Sequence, residues 1–166
     1  MTAEIEIRAM RTGDVAAASA LLARSFHGSL ASAWPSAAVQ EFERYIGADS
    51  LELRLKSHHQ HWVATAGNGI VGVLELRGER QITLFFVDRS SRGLGIGRKM
   101  LDSAEHHVHR SADGHRRALA VHACGPVVPL YVRLGFRPTG ERKRGNGLVF
   151  VALERKVGQP SLRGSE

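Results

Sequence analysis

Residues 86–101 of the 166-residue chain are Phe86-Val87-Asp88-Arg89-Ser90-Ser91-Arg92-Gly93-Leu94-Gly95-Ile96-Gly97-Arg98-Lys99-Met100-Leu101. The order is the end of an apolar strand, a glycine-rich loop and the start of a helix. Backbone N–H groups at a helix N-terminus point outward together, and the helix macrodipole favours negative charge there. Glycines let the backbone approach an anion closely, while Arg92, Arg98 and Lys99 add positive charge. The stretch therefore predicts a binding site for a diphosphate.

Two familiar phosphate-binding loops do not match this spacing. A Walker A loop ends in Gly-Lys-Ser/Thr, and the sequence Gly97-Arg98-Lys99 does not supply that ending. A dinucleotide fingerprint that starts at Gly95 would need glycine or alanine where Met100 stands, and it belongs in the first strand–helix unit of a fold. The spacing that remains is Arg92-x-x-Gly95-x-Gly97.

The hydrophobic pattern on both sides of this loop predicts a mixed α/β domain. The order of elements is strand, helices, three strands, helix, strand, helix and two strands, in which helices cover a mostly antiparallel sheet of about seven strands. A single domain is expected over residues 1–157, with a disordered tail over 158–166. The segments are strands at 5–8, 62–65, 70–76, 81–87, 117–123 and 148–153, and helices at 15–30, 39–46, 51–55, 100–114 and 126–134.

The composition argues against a membrane protein, a secreted protein and a protein that binds single-stranded nucleic acid by stacking. No apolar run approaches the ~20 residues of a membrane span, and the first residues lack the features of a signal peptide. A single cysteine, Cys124, suits a reducing compartment, so a cytoplasmic location without membrane contact is expected. The net charge of +7 would attract polyanions, but aromatic residues are only 6% of the chain, too few for a nucleic-acid stacking surface. A basic nucleic-acid binder stays an alternative on charge alone, and no nucleic-acid partner is expected.

A second motif lies downstream, at Leu130-Tyr131-Val132-Arg133-Leu134-Gly135-Phe136. Together with Arg92-x-x-Gly95-x-Gly97 and the order of strands, it resembles the GNAT superfamily of acetyl-CoA-dependent N-acetyltransferases. The resemblance covers roughly residues 5–154 and is most specific over 81–136. The alternative is a glycine-rich turn followed by an ordinary core helix.

The resemblance implies where coenzyme A would bind. In this superfamily the sheet splays open at its fourth and fifth strands, and pantetheine lies in the gap. Phe85 and Val87 would then bond pantetheine through their backbone. The pyrophosphate would be held by the loop residues Arg92, Gly93, Leu94, Gly95, Ile96, Gly97 and Arg98. Acetyl-CoA is the implied cosubstrate.

The resemblance also implies catalytic roles. Tyr131 matches the position of the general acid that protonates the coenzyme A sulfur; its alternative is a core aromatic residue. Many family members carry a glutamate on the fourth strand, but here that stretch is Gln81-Ile82-Thr83-Leu84. Glu75, a lone carboxylate in an apolar strand, is therefore the candidate base, with a plain exposed carboxylate as its alternative. Asp88, His122 and a chain of waters are weaker candidates.

Neither the cysteine nor the histidines indicate a metal site. Cys124 stands where the family often has an asparagine that touches the cofactor, and a small buried residue is the preferred interpretation. His58, His59 and His61 cluster, as do the histidines of 106–109, but no cysteine or clear carboxylate completes a ligand set. No metal is predicted.

The acceptor is predicted only as a class. The resemblance implies direct attack of a primary amine, on a small molecule or a peptide, in a ternary complex with acetyl-CoA. Residues 26–55 and the hairpin at 141–147 would build most of its site. The basic surface argues against polyamines. Homodimers are frequent in the superfamily, although no residue here requires one. A coenzyme A-binding regulatory module without catalysis is the main alternative.

Overall fold

The computed structural model describes residues 3–111 and 118–157. The predicted order of strands and helices is confirmed over these residues. The weakly patterned segment at Leu51 and Leu55 is a helix, as its shared helical face indicates. The elements are β1 Ile5–Ala9, α1 Val15–Ser29, α2 Ser36–Ile46, α3 Ala48–Leu55, β2 His59–Ala66, β3 Gly69–Arg77, β4 Gln81–Val87, α4 Ile96–Ser111, β5 Ala118–Cys124, α5 Val128–Arg133, β6 Arg137–Gly145 and β7 Leu148–Lys156.

The seven strands form one sheet in the order β1-β2-β3-β4-β5-β7-β6. Neighbouring strands are antiparallel except for β4 and β5, which run parallel. Within the described residues their pairing is limited to Gln81 opposite Ala120 and Ile82 opposite Val121. The strands separate beyond that point. The predicted fold class, with its splay at the fourth and fifth strands, is therefore confirmed.

Helices cover both faces of the sheet and create two cores. On one face, Met100, Leu101, Ala104 and Val108 of α4 are almost fully buried against β3, β5 and β7. These residues lie at helical spacing, which gives α4 a single apolar side. A Cβ on Gly72 of β3 would lie 2.8 Å from the Met100 sulfur, so glycine at this position lets α4 pack closely on β3. The opposite core packs α1, α2 and α3 on β2, β3 and β4.

Several predicted boundaries fall outside the described residues. These are the end of α4 near Gly114, the start of β5 at Arg117 and the tail at 158–166. After β5 the chain makes a short 3-10 turn at Gly125–Val127 before α5, and prolines stand in the first turns of both elements. Proline suits these positions because the first N–H groups of a helix have no intrahelical acceptor. Among the described helices, none combines the length and apolar character that a membrane crossing demands.

Candidate active site

A cleft of about 890 Å³ opens where β4 and β5 separate. Its lining comes from four segments of the chain, 29–45, 82–98, 121–134 and 143–150. The first and last of these overlap the segments that the sequence assigns to the acceptor, 26–55 and 141–147. One continuous space therefore joins the glycine-rich loop, the split in the sheet and a wall formed by α2 and the β6–β7 hairpin.

The backbone of β4 leaves unpaired groups beside this space. In an antiparallel ladder, alternate residues direct their N–H and C=O groups to opposite sides. The Asp88 N–H donates to the Val71 oxygen of β3 at 2.7 Å. Phe86 stands two residues earlier, opposite Val73, so its backbone groups point toward β3 as well. The backbone groups of Phe85 and Val87 therefore point away from β3, toward the gap beside β5. These are the two residues that the sequence assigns to pantetheine.

The glycine-rich loop has the geometry of an anion cradle. Gly93 and Gly95 have φ values of 82° and 75°, in the left-handed region that other residues rarely adopt. A Cβ at either glycine would meet no protein atom within 4 Å, so their surroundings are open. Helix α4 begins directly afterwards at Ile96, and its first N–H groups have no intrahelical acceptor. The donors and the space fit a diphosphate.

The predicted loop residues differ in how they meet the cleft. Six of the seven line it: Arg92, Gly93, Gly95, Ile96, Gly97 and Arg98. Leu94 does not, and it is 57% exposed. Gly97 lies against β4, since a Cβ there would be 3.5 Å from the Phe85 ring. Arg92 and Arg98 are exposed and place positive charge beside the cradle.

Tyr131 of α5 lines the cleft. The residue is only 7% exposed, and its ring makes edge contacts with Phe85 and Phe136 at centroid distances of 6.3 and 5.3 Å. Burial raises the pKa of Tyr131 well above its ordinary value of 10. The phenol is therefore protonated at neutral pH and is held in one orientation by its neighbours.

Cys124, at the end of β5, also lines the cleft. Burial raises the pKa of its thiol, and a hydrogen bond with Trp34 partly offsets this effect. A protonated, buried thiol is a poor nucleophile. The structure thus agrees with the interpretation of Cys124 as a small buried residue.

Glu75 lies behind the cleft wall rather than in it. Its side chain is fully buried, so the alternative of an exposed carboxylate is wrong. Burial alone would raise the pKa of Glu75, but hydrogen bonds from His61, Thr83 and Tyr45 and the charge of Arg54 lower it to about 2. The carboxylate is therefore ionised.

The two weaker candidates for the base differ in position. Asp88 forms an ion pair with Arg24 at 3.2 Å and does not line the cleft. His122 of β5 does line it, with its Nδ1 3.1 Å from the Gln81 side-chain nitrogen. Burial, followed by the charges of Lys143 and Arg77, lowers the pKa of His122. The cleft therefore contains a neutral imidazole at pH 7.

Sequence reasoning missed two residues of the site, Tyr45 and Thr83. Both line the cleft, and both donate a hydrogen bond to Glu75. The one signal in the sequence was Thr83 itself, the single hydroxyl residue in the apolar strand β4. Over residues 3–111 and 118–157, no group of three or more His, Cys, Asp or Glu side chains is placed to hold a metal ion.

Residues 30–157 match the family model of the acetyltransferase (GNAT) domain. The chain belongs to the GNAT family. The resemblance drawn from Arg92-x-x-Gly95-x-Gly97 and the Tyr131 segment is thereby confirmed. No curated protein sequence matches the chain significantly.

Solved structures share the GNAT fold at low sequence identity. PaiA N-acetyltransferase from Thermoplasma acidophilum, in complex with coenzyme A, has a TM-score of 0.76 at 16% identity, covering 92% of this chain and 99% of that one. YncA from Salmonella typhimurium, solved with its cofactor acetyl-CoA, has a TM-score of 0.67 at 16% identity over 98% and 99% of the two chains. The apo form of YjaB from Escherichia coli gives 0.68 at 22% identity over 91% and 97%.

Proposed function

We propose that the protein transfers an acetyl group from acetyl-CoA to a primary amine by direct attack in a ternary complex. One observation carries the proposal: a single cleft connects an anion cradle, a protonated phenol and a separate wall for a second substrate. Two substrates that meet in one continuous space can react without a covalent enzyme intermediate.

The residues of the cleft fit coenzyme A. The N–H groups from Gly93 to Arg98 would hold the pyrophosphate, with Arg92 adding charge. The backbone groups of Phe85 and Val87 would bond pantetheine. Bound acetyl-CoA supplies an acetyl group activated as a thioester.

Tyr131 would give its phenolic proton to the coenzyme A sulfur as the carbon–sulfur bond breaks. Because the phenol is protonated at neutral pH, its proton is available when the thiolate departs. Support comes from the protonated state of Tyr131 and from its position in the lining of the cleft, beside Phe85 of β4.

The attacking amine must lose a proton, and His122 is the residue we assign to accept it. Among the described residues that line the cleft, His122 is the one imidazole, and its lowered pKa favours the neutral, proton-accepting form. Glu75 was the base predicted from the sequence. Since it is buried and does not line the cleft, we assign it an indirect role.

The test combines binding with turnover. Calorimetry with acetyl-CoA and with free coenzyme A should detect binding, and a colorimetric thiol reagent should detect free coenzyme A when an amine is added. Binding without turnover across a broad amine panel would instead identify a regulatory coenzyme A-binding module. Retention on DNA that collapses steeply with salt, without heat from either coenzyme, would identify a nucleic-acid binder.

A further inference from the structure

The buried carboxylate of Glu75 has four partners on four different elements. Oxygen Oε1 accepts hydrogen bonds from the Tyr45 hydroxyl of α2 and, at 2.6 Å, from the Thr83 hydroxyl of β4. Oxygen Oε2 lies 2.9 Å from Arg54 Nε of α3 and 2.5 Å from His61 Nε2 of β2. All four partners hold Glu75 in one orientation behind the cleft wall.

A β-bulge directs Thr83 toward Glu75. Glu75 and Leu76 are consecutive on β3, but they lie opposite Leu84 and Ile82, so Thr83 is an extra residue on β4. Ile82 and Leu84 would share a face in a regular strand, yet they pack into the cores on opposite faces of the sheet. The bulge therefore places a hydroxyl between Glu75 and the cleft.

The ionised state of Glu75 fixes the direction of both hydroxyl bonds. An ionised carboxylate can only accept hydrogen bonds, so the Tyr45 and Thr83 hydroxyls must donate their protons to it. Each oxygen keeps lone pairs, and both residues line the cleft. This end of the cleft therefore offers two hydrogen-bond acceptors from hydroxyls whose own protons are already engaged.

Two such acceptors match a neutral primary amine. Its two N–H groups can donate to the two oxygens, which leaves the nitrogen lone pair free to attack. A secondary amine has only one N–H to donate. A carbonyl or carboxylate group has none.

The rest of the acceptor wall is largely apolar and includes three aromatic rings. Trp34, Phe42 and Phe150 line the cleft, with Trp34 5.5 Å from Phe42 and 6.4 Å from Phe150 between ring centroids. Glu41 is the one carboxylate in the lining formed by the described residues, and the Asn146 amide donates a hydrogen bond to it. Such a wall suits an apolar or aromatic body and offers little to a polycation.

Resting on the acetyl transfer proposed above, we propose that the acceptor is a primary amine on an aromatic-sized apolar body. Tyr45 and Thr83 receive its N–H groups, and Glu75 is the positioning residue that holds both hydroxyls as acceptors. The aromatic wall of Trp34, Phe42 and Phe150 holds the body of the acceptor.

The first test compares three amines with saturating acetyl-CoA: 2-phenylethylamine, its N-methyl derivative and spermidine. We expect kcat/KM for 2-phenylethylamine to exceed that of the other two by about tenfold or more, because a site built to pair polar groups rejects ligands that leave them unpaired. Faster turnover of spermidine, or equal turnover of the N-methyl amine, overturns the inference and leaves the proposed acetyl transfer intact.

The second test uses Thr83→Val, which removes the hydroxyl at nearly constant shape, with Thr83→Ser as its matched control. Thr83→Val should raise KM for 2-phenylethylamine about fivefold or more and reduce the preference over the N-methyl amine, with KM for acetyl-CoA unchanged. Thr83→Ser should restore both values. Glu75→Gln, whose amide must donate to one hydroxyl, should reduce the same preference for the primary amine. Because this variant can fail to fold, the comparison of Thr83→Val with Thr83→Ser decides the test.

The two proposals fail in different ways. Absence of heat with acetyl-CoA, or binding without turnover of any amine, removes the acetyl transfer and the acceptor class with it. An unchanged KM and an unchanged primary-amine preference in Thr83→Val remove only the acceptor class.

Discussion

Glu75 is ionised in the interior because four donors compensate for its lost hydration. Removing a carboxylate from water is costly unless hydrogen bonds and opposite charge replace the solvent. Here Arg54 supplies the charge at 2.9 Å, and its guanidinium also stacks 3.6 Å above the Tyr45 ring. The same contacts that keep Glu75 charged therefore hold α2 and α3 against the sheet.

The lowered pKa of Glu75 predicts an acid-sensitive contribution to stability. Its folded-state pKa of about 2 lies below the ordinary 4.5, so the contribution is present above pH 4.5 and is lost as the pH falls toward 2. The shift corresponds to about 3 kcal/mol. We expect the free energy of unfolding, measured with urea and tryptophan fluorescence, to fall less between pH 6 and pH 3 in Glu75→Gln than in the parent protein.

Glu4→Gln is the matched control for that measurement, because Glu4 is exposed. It makes the same chemical change at the surface and should leave the pH dependence as in the parent protein. An equal fall of the free energy of unfolding between pH 6 and pH 3 in the parent and in Glu75→Gln would contradict the ionised, hydrogen-bonded state assigned to Glu75.

Tyr131 gives the residue-scale prediction for catalysis. Tyr131→Phe keeps the edge contacts with Phe85 and Phe136 but removes the proton donor. We expect kcat to fall at least about tenfold, equivalent to about 1.4 kcal/mol of the barrier, because the sulfur must then leave unprotonated. Calorimetry should give an unchanged affinity for coenzyme A. Unaltered turnover would remove Tyr131 from the mechanism.

At the scale of elements, the loop between β4 and α4 depends on two glycines with left-handed backbone. A non-glycine residue costs roughly 1–2 kcal/mol in that conformation. Backbone conformation therefore favours glycine at both Gly93 and Gly95, and the surroundings of both are open.

Gly95→Val separates these two effects when it is compared with Gly67→Val. Gly67 has φ 60° and equally open surroundings, but it lies in the β2–β3 turn and does not line the cleft. Both variants should lose similar stability by thermal denaturation. Only Gly95→Val should abolish the calorimetric signal with coenzyme A, because its side chain would project into the proposed diphosphate site. Normal binding by Gly95→Val would refute that location.

Elements with a local signal were predictable from the sequence, and contacts between distant segments were not. The glycine loop and α4 follow from residues 86–108, where spacing alone defines the pattern. The partners of Glu75 come from Tyr45, Arg54 and His61, which are 30, 21 and 14 positions away. Packing of α2 and α3 on the sheet brings them together, and no periodicity encodes it. The bulge at Thr83 was not predictable either, since Ile82, Thr83 and Leu84 alternate in the sequence as in a regular strand, while in the structure Ile82 and Leu84 pack into opposite cores.

At the scale of the whole molecule, a continuous buried core crosses the split in the sheet on one face, and contacts of Trp34 and Asn146 cross it on the other. The core beneath α4 is continuous across the split, since it joins Leu74 and Ile82 to Leu119 and Leu153. The core on the opposite face contains no residue of β5, β6 or β7 within the described chain. The cleft occupies the space that a second continuous core would fill, so a bound ligand can replace packing that the protein lacks.

Coenzyme A should therefore stabilise the whole fold by bridging the two halves of the sheet. A ligand at a hundredfold excess over its Kd adds about 2.7 kcal/mol to the free energy of unfolding. For a chain of this length, 1 kcal/mol shifts Tm by roughly 2–4 °C, so a rise of about 5–10 °C is expected in a thermal scan. Hydrogen exchange should show new protection at the amides of Phe85 and Val87, which face the gap, and little change at Leu74 or Leu119 in the continuous core. A rise in Tm without protection at Phe85 and Val87 would mean that coenzyme A binds elsewhere, and an equal rise in Gly95→Val would exclude the glycine loop as its anchor.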